Sequence, residues 1–166
     1  MNAQPKADLV KRFLAALIDG LIAGAIAFVF GLFGTLMGGI GTLIGAAYYL
    51  VRDGLETPYT DGRSFGKKVI GLRAVRLDGG TVDMETSIKR NWTLAVPSII
   101  SGIASVLLGL GPLAILGVLV ALVGGLAGLL ALVEGVLVII DSDGRRIGDK
   151  TGGTQVVEDA AVSAMA

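Results

Sequence analysis

Two long apolar blocks dominate the pattern of hydrophobic and polar positions along the chain. The first runs from residue 13 to residue 51 and contains one charged residue, Asp19, and the second runs from 92 to 140 and contains one, Glu134. A bilayer core about 30 Å thick is crossed by roughly 20 apolar helical residues, so each block is long enough for two spans. The pattern predicts an all-α membrane protein, a four-transmembrane-helix bundle with helices at about 13–33, 36–52, 90–109 and 113–140.

The polar segment between the blocks, residues 53–89, carries a β pattern. Alternating apolar and polar residues flank an Asp78-Gly79-Gly80 turn, which is typical of a two-residue hairpin. A strand-like stretch from Gly153 to Asp159 is placed to pair with it. We therefore expect a small cytoplasmic β-hairpin element within a single membrane domain, residues 1–159, followed by a disordered tail at 160–166.

The basic residues predict the orientation of the spans. All 14 Lys and Arg residues fall before the first block, between the blocks or after the second block. Because such residues collect in cytoplasmic loops, an even number of spans with both termini in the cytoplasm is expected. Lys11 and Arg12 followed by apolar residues also resemble the start of a secretory signal. Asp19 and the second span that follows at once favour a retained helix.

Composition narrows the classes of function. Hydrophobic residues make up 53% of the chain, charged residues 17%, and the mean hydropathy is +0.77, which is typical of a membrane protein. The chain contains no Cys and no His, so the usual ligands and bases of zinc sites and catalytic triads are missing. We expect no cofactor, no metal site and no enzymatic activity. A net charge of zero also gives no basic surplus for binding nucleic acid.

The two acids within the apolar blocks are the strongest candidates for a functional site. Six residues from Phe13 to Asp19, and seven from Glu134 to Asp141, place both acids about 10 Å below the same boundary. A carboxylate at that depth is costly and indicates function, and two close carboxylates would raise one pKa. They could share a proton or hold a cation together. The alternative is that both are buried polar contacts between helices.

Other residues suggest contacts with lipid or with a second copy. The basic residues Lys67, Lys68, Arg73 and Arg76 are predicted to form a surface that binds anionic lipid headgroups or a partner. Pairs of glycines four residues apart, such as 41 and 45, let helices approach closely and leave a homo-oligomer open.

Four stretches together resemble the RDD family of small bacterial membrane proteins. They are KRFLAALIDGLI at 11–22, GRSFGKKVIGLRAVRLDGG at 62–80, RNW at 90–92 and GRRIGDKTGGTQVV at 144–157. The family is named for one arginine and two aspartates, and the resemblance assigns the first two to Arg12 and Asp19. The second aspartate matches Asp149, with Asp141 as the alternative, and Glu134 is not part of the pattern.

The resemblance also implies a location and a function. Cation/proton antiport has been proposed for some family members, which are multi-pass proteins of the bacterial inner membrane. We therefore expect a polar intramembrane site of Arg12, Asp19, Glu134 and Asp149 that supports movement of a monovalent cation or a proton. The alternative is a membrane adaptor or assembly protein that binds lipid headgroups or a partner through its basic cytoplasmic loop.

Overall fold

The structure, a computed structural model, is mostly helical and describes residues 6–159. The predicted tail at 160–166 lies outside these residues. Seven helices and two strands follow one another along the described chain in this order: α1 (Leu9–Gly31), α2 (Thr35–Val51), α3 (Phe65–Ile70), β1 (Leu72–Arg76), α4 (Met84–Gly109), α5 (Ala114–Ala127), α6 (Leu129–Ile140), α7 (Ile147–Thr151) and β2 (Thr154–Glu158).

The long helices occupy the predicted apolar blocks but begin earlier where an aspartate precedes them. Asp8 accepts a hydrogen bond from the backbone of Lys11 at 3.0 Å, and Asp83 accepts one from the backbone of Thr86 at 2.8 Å. These carboxylates satisfy free N–H groups of the first turn, so α1 and α4 extend several residues beyond the apolar runs. The last predicted helix is divided at Gly128 into α5 and α6.

A two-stranded antiparallel sheet replaces the predicted hairpin. Strand β1 pairs with β2, with Leu72 opposite Glu158 and Arg76 opposite Thr154, so the predicted pairing with the tail is confirmed. The second hairpin arm is wrong, because residues 80–83 form no strand. Asp78 accepts a hydrogen bond from the backbone of Gly80, and Asp83 accepts one from the first turn of α4. Residues 80–83 therefore connect the turn directly to α4.

The chain divides into two compact units that differ completely in charge. One unit, here the polar unit, comprises the residues up to Asp19, Leu50–Asn91 and those from Glu134 onward, and the other, the apolar unit, comprises Gly20–Tyr49 and Trp92–Val133. All 14 basic and all 14 acidic residues of the sequence belong to the polar unit. The apolar unit contains no charged residue.

Close helix packing in the apolar unit depends on glycine. A Cβ atom at Gly39 would lie 2.8 Å from the carbonyl oxygen of Gly102, and one at Gly41 would lie 3.0 Å from Cα of Ala27. At these two positions α2 approaches α4 and α1 so closely that a side chain would not fit.

The helices present broad apolar surfaces. Phe28 of α1 is 68% exposed and Leu126 of α5 is 71% exposed. Three stretches, Leu9–Gly31, Met84–Gly109 and Ala114–Ile140, are long and apolar enough to cross a bilayer, and Thr35–Val51 is a shorter apolar helix. Such surfaces are typical of helices that face lipid, and the chain is a multi-pass membrane protein.

Candidate functional site: a buried charged network

Ionisable side chains in the polar unit join into one connected group, here called the buried charged network. Its charged side chains are no more than 10% exposed. The network consists of five cations, four carboxylates and one amide: Arg12, Arg52, Lys67, Arg90, Arg146, Asp19, Asp53, Glu134, Asp149 and Asn91. Removing an ion from water costs several kcal/mol, so these groups are tolerable only because they pair with one another.

Asp19 lies at one end of the network. Its Oδ2 accepts a hydrogen bond from Nη1 of Arg52 at 2.9 Å, and its Oδ1 accepts one from the backbone of Gly66 at 2.8 Å. A Cβ at Gly66 would lie 2.1 Å from the carbonyl oxygen of Ala15, so α3 reaches α1 only because residue 66 is glycine. The carboxylate of α1 is therefore held by the end of α2 and by the backbone of α3.

Asn91 connects the branches of the network. Its side-chain oxygen accepts hydrogen bonds from Arg146 at 2.8 Å and from Arg52 at 3.4 Å, and its amide nitrogen donates to Asp53 at 3.0 Å. A neutral amide can accept from cations and donate to an anion at the same time. Asn91 thus links three charged groups without adding a charge.

Asp53 is shared between two cations. Its Oδ1 lies 2.5 Å from Nζ of Lys67, and its Oδ2 lies 3.3 Å from Nη1 of Arg90. Burial alone would raise the pKa of Asp53, but attraction to the cations around it, Lys67 foremost, holds that pKa well below its ordinary value. Burial lowers the pKa of Lys67 to about 7, against the attraction of Asp53, which raises it. Asp53 therefore stays ionised beside a lysine that holds its proton weakly.

Asp149 is shared among three arginines. Its carboxylate lies 2.6 Å from Nη2 of Arg90, 3.3 Å from Nη2 of Arg12 and 3.6 Å from Nε of Arg146. Burial would raise the pKa of Asp149, but attraction to the three guanidinium groups outweighs it and lowers that pKa to about 2. Arg12 also donates to the carbonyl oxygen of Gly144 at 2.6 Å. Residues more than 130 positions apart in the sequence are joined at this point.

Glu134 lies at the other end of the network. Its Oε1 accepts a hydrogen bond from the backbone of Gly148 at 3.2 Å, and its Oε2 lies 3.7 Å from Nε of Arg146. The second distance is too long for a hydrogen bond, so Glu134 interacts with Arg146 mainly through charge.

All four residues of the predicted polar site, Arg12, Asp19, Glu134 and Asp149, lie in the network. Arg12 pairs with Asp149, not with Asp19. The two acids of the apolar blocks have different arginine partners, Arg52 for Asp19 and Arg146 for Glu134, with Asn91 between those arginines. The alternative family aspartate, Asp141, lies outside the network and pairs with Lys150 at 2.6 Å.

Lys67 is not part of the predicted basic surface. Its side chain is 9% exposed and faces Asp53, so it cannot contact lipid headgroups as it stands. Lys68, Arg73 and Arg76 are 39%, 31% and 32% exposed and remain candidates for such contacts. Each of them lies beside an acid, which reduces the positive charge that this surface presents. Those acids are Asp61 for Lys68, Asp61 and Asp159 for Arg73, and Asp78 and Asp83 for Arg76.

Six members of the network were not predicted as part of the polar site: Arg52, Asp53, Lys67, Arg90, Asn91 and Arg146. Lys67 alone among them was predicted as a site residue, in the basic surface. Most of these charges are basic residues, which along the sequence indicate only the orientation of the spans. A signal was nevertheless present, because Arg52-Asp53 directly follows the first apolar block and Arg90-Asn91 directly precedes the second. Polar residues at the ends of several apolar helices can meet in one layer when the helices pack side by side.

Comparison with known proteins confirms the predicted resemblance. A family model described as the RDD family matches residues 6–153 of the chain. The matched range contains all ten residues of the buried charged network. No curated protein and no solved structure matches the chain.

Proposed function

The chain belongs to the RDD family, and we propose that it moves protons across the membrane by way of the buried charged network. The observation that carries the proposal is a network of nine ionisable side chains, each no more than 10% exposed. Four of them, Arg12, Asp19, Arg90 and Glu134, lie in helices that are long and apolar enough to cross a bilayer. Ionisable residues within membrane helices are costly and mark proton and ion pathways. A non-enzymatic role is part of the same proposal.

A proton fits the network better than a metal cation does. Among residues 6–159 there is no group of three or more His, Cys, Asp or Glu side chains placed to hold a metal ion. Each carboxylate of the network already faces an arginine or lysine, which a metal cation would have to displace. A proton needs no such displacement.

The proposal includes an orientation and an assembly. We place both termini and the segment between α2 and α4 in the cytoplasm, because every basic residue belongs to the polar unit. The apolar unit contains no Asp, Glu, Lys, Arg or His side chain to carry a proton further. A complete path therefore needs water between helices or a second copy of the chain.

Proton flux in proteoliposomes tests the proposal. We expect the purified protein to acidify or alkalinise vesicles that contain a pH-sensitive dye when a pH gradient is imposed. Asp19→Asn removes one charge of the network and should reduce the rate to that of protein-free vesicles. Asp78→Asn is the matched control, because Asp78 is a carboxylate exposed at the surface. A folded Asp19→Asn protein with unchanged flux would contradict the proposal.

The second candidate is an adaptor or assembly protein in which the network holds the helices in register. The observation that favours it is the extent of pairing, since each carboxylate of the network faces a cation. This function predicts that Asp19→Asn lowers thermal stability in a protein that never carries flux. It also predicts that Lys68→Ala weakens the stabilisation of the protein by nanodiscs containing anionic lipid. Equal stabilisation of wild type and Lys68→Ala would count against that surface.

A further inference from the structure

The buried charged network contains one more cation than anions. Four arginines and Lys67 face three aspartates and Glu134, and Asn91 adds no charge. An uncompensated charge inside a protein is expensive, so a group that can lose its charge tends to do so. The network therefore favours the loss of one proton from one of its cations.

Lys67 is the cation that can release a proton. Arginine stays protonated in proteins, whereas lysine loses its proton readily when it is buried. The side chain of Lys67 is 9% exposed and has Asp53 as its ion-pair partner, at 2.5 Å. Release of its proton to water leaves a neutral amine beside the Asp53 carboxylate. Four cations then face four anions.

Charged groups on several elements surround Lys67. Some of them favour its charged form and others disfavour it. Asp53, two residues after α2, favours the charged form, and Asp19 of α1 does so more weakly. Arg90 of α4 and Arg52, next to α2, disfavour it. On its own helix, Lys68 is 39% exposed and points away from the network toward Asp61. Burial and the two arginines together lower the pKa of Lys67 to about 7.

Lys67 is also firmly positioned. Ser64 caps the N-terminus of α3, and its hydroxyl accepts a hydrogen bond from the backbone of Lys67 at 3.3 Å. Gly71, in the left-handed conformation, caps the C-terminus. Gly66 holds the helix against α1 through its hydrogen bond to Asp19. The caps and Gly66 therefore fix the backbone of α3, and the ammonium group of Lys67 is held by its ion pair with Asp53.

We propose that Lys67 is the proton-binding site of the buried charged network, gaining a proton from water and returning it while Asp53 stays ionised. This inference rests on the proposed function and names the group that carries the proton. It assigns Asp19 and Arg52 the role of positioning α3 through Gly66.

The titration of Lys67 can be measured directly. The full-length protein, labelled with ¹³C at lysine Cε and held in lipid nanodiscs, is titrated by NMR. Its six lysines give six signals, and the Lys67 signal is the one missing from Lys67→Arg or, if that variant fails to fold, from Lys67→Met. We expect a midpoint near pH 7 for Lys67. A Lys67 that stays charged above about pH 9, like an ordinary lysine, would overturn the proposal.

Flux measurements separate this inference from the proposed function. Lys67→Arg keeps the positive charge but cannot release a proton, so its flux should fall to the protein-free rate. The control Lys89→Arg should match wild type, because Lys89 is 58% exposed and lies outside the network. A titrating Lys67 in a wild-type protein without flux would refute transport and leave the proton site standing. A permanently charged Lys67 in a protein that moves protons would refute the site and leave transport standing.

Discussion

Replacing Asp149 by asparagine removes the charge that three arginines share. The carboxylate is fully buried and lies 2.6 Å from Arg90 and 3.3 Å from Arg12. Asparagine keeps the shape of the side chain but leaves the guanidinium groups facing one another. We therefore expect Asp149→Asn to insert into the membrane and to lose much of its stability.

The structure gives two routes to the size of this loss. Breaking a buried ion pair by removing one partner costs about 3–5 kcal/mol. Independently, the fall of the Asp149 pKa from 3.8 to about 2 corresponds to about 2.5 kcal/mol. The second figure is smaller because it describes a carboxyl group that is neutralised but still present. For a chain of this size, 3–5 kcal/mol is about 6–20 °C in melting temperature.

Thermal unfolding in detergent measures the effect. The control is Asp143→Asn, because Asp143 is 31% exposed and its ion pair is with Arg145 at the surface, where such pairs contribute about 0–1 kcal/mol. Wild-type stability should also fall between about pH 4 and pH 2, because in that range the unfolded state binds a proton at Asp149 that the folded state does not. Equal melting temperatures for Asp149→Asn and Asp143→Asn would refute the reasoning.

Two further predictions concern α3. Gly66→Ala should lower the melting temperature, because the new Cβ would lie 2.1 Å from the carbonyl oxygen of Ala15 and overpacking costs about 1–3 kcal/mol. The control Gly135→Ala, in a helix with open space around that position, should be neutral or slightly stabilising. Equal changes in melting temperature for the two variants would contradict the close approach of α3 to α1. Between pH 7 and pH 10 the unfolded state binds a proton at Lys67 that the folded state has lost, so stability should rise by up to about 1.4 kcal/mol per pH unit. Chemical denaturation at several pH values should show this slope in wild type and not in Lys67→Met, and a slope shared by both proteins would refute the assignment.

The helices could be predicted from the sequence, whereas the partners of the charged residues could not. Apolar runs are local and are matched to the thickness of a bilayer, so the three long apolar stretches and the shorter one were found within a few residues. The errors at their starts came from Asp8 and Asp83, whose capping role depends on local backbone geometry. The second arm of the hairpin was predicted wrongly because the Asp78-Gly79-Gly80 turn follows β1 but leads into α4.

The network depends on contacts that span most of the chain. Arg12 and Asp149 are 137 positions apart, and Arg52 and Asp19 are 33 apart. Depth along each helix correctly brought Asp19 and Glu134 to attention, but depth alone does not tell which arginine faces which acid. The burial of Lys67 could not be predicted either, because its neighbour Lys68 is exposed and nothing in the local sequence distinguishes the two lysines.

Because every charged residue belongs to the polar unit, insertion of the apolar unit in the membrane does not require the ion pairs to have formed. Placing the apolar unit in lipid requires no ion to leave water. Its two segments, Gly20–Tyr49 and Trp92–Val133, can therefore enter the bilayer before they pack against each other. Dehydration of ions is deferred until Arg12, Arg90 and Asp149, from distant parts of the chain, come together. We therefore expect a chain altered in these residues to insert into the membrane but to lack a stable polar unit.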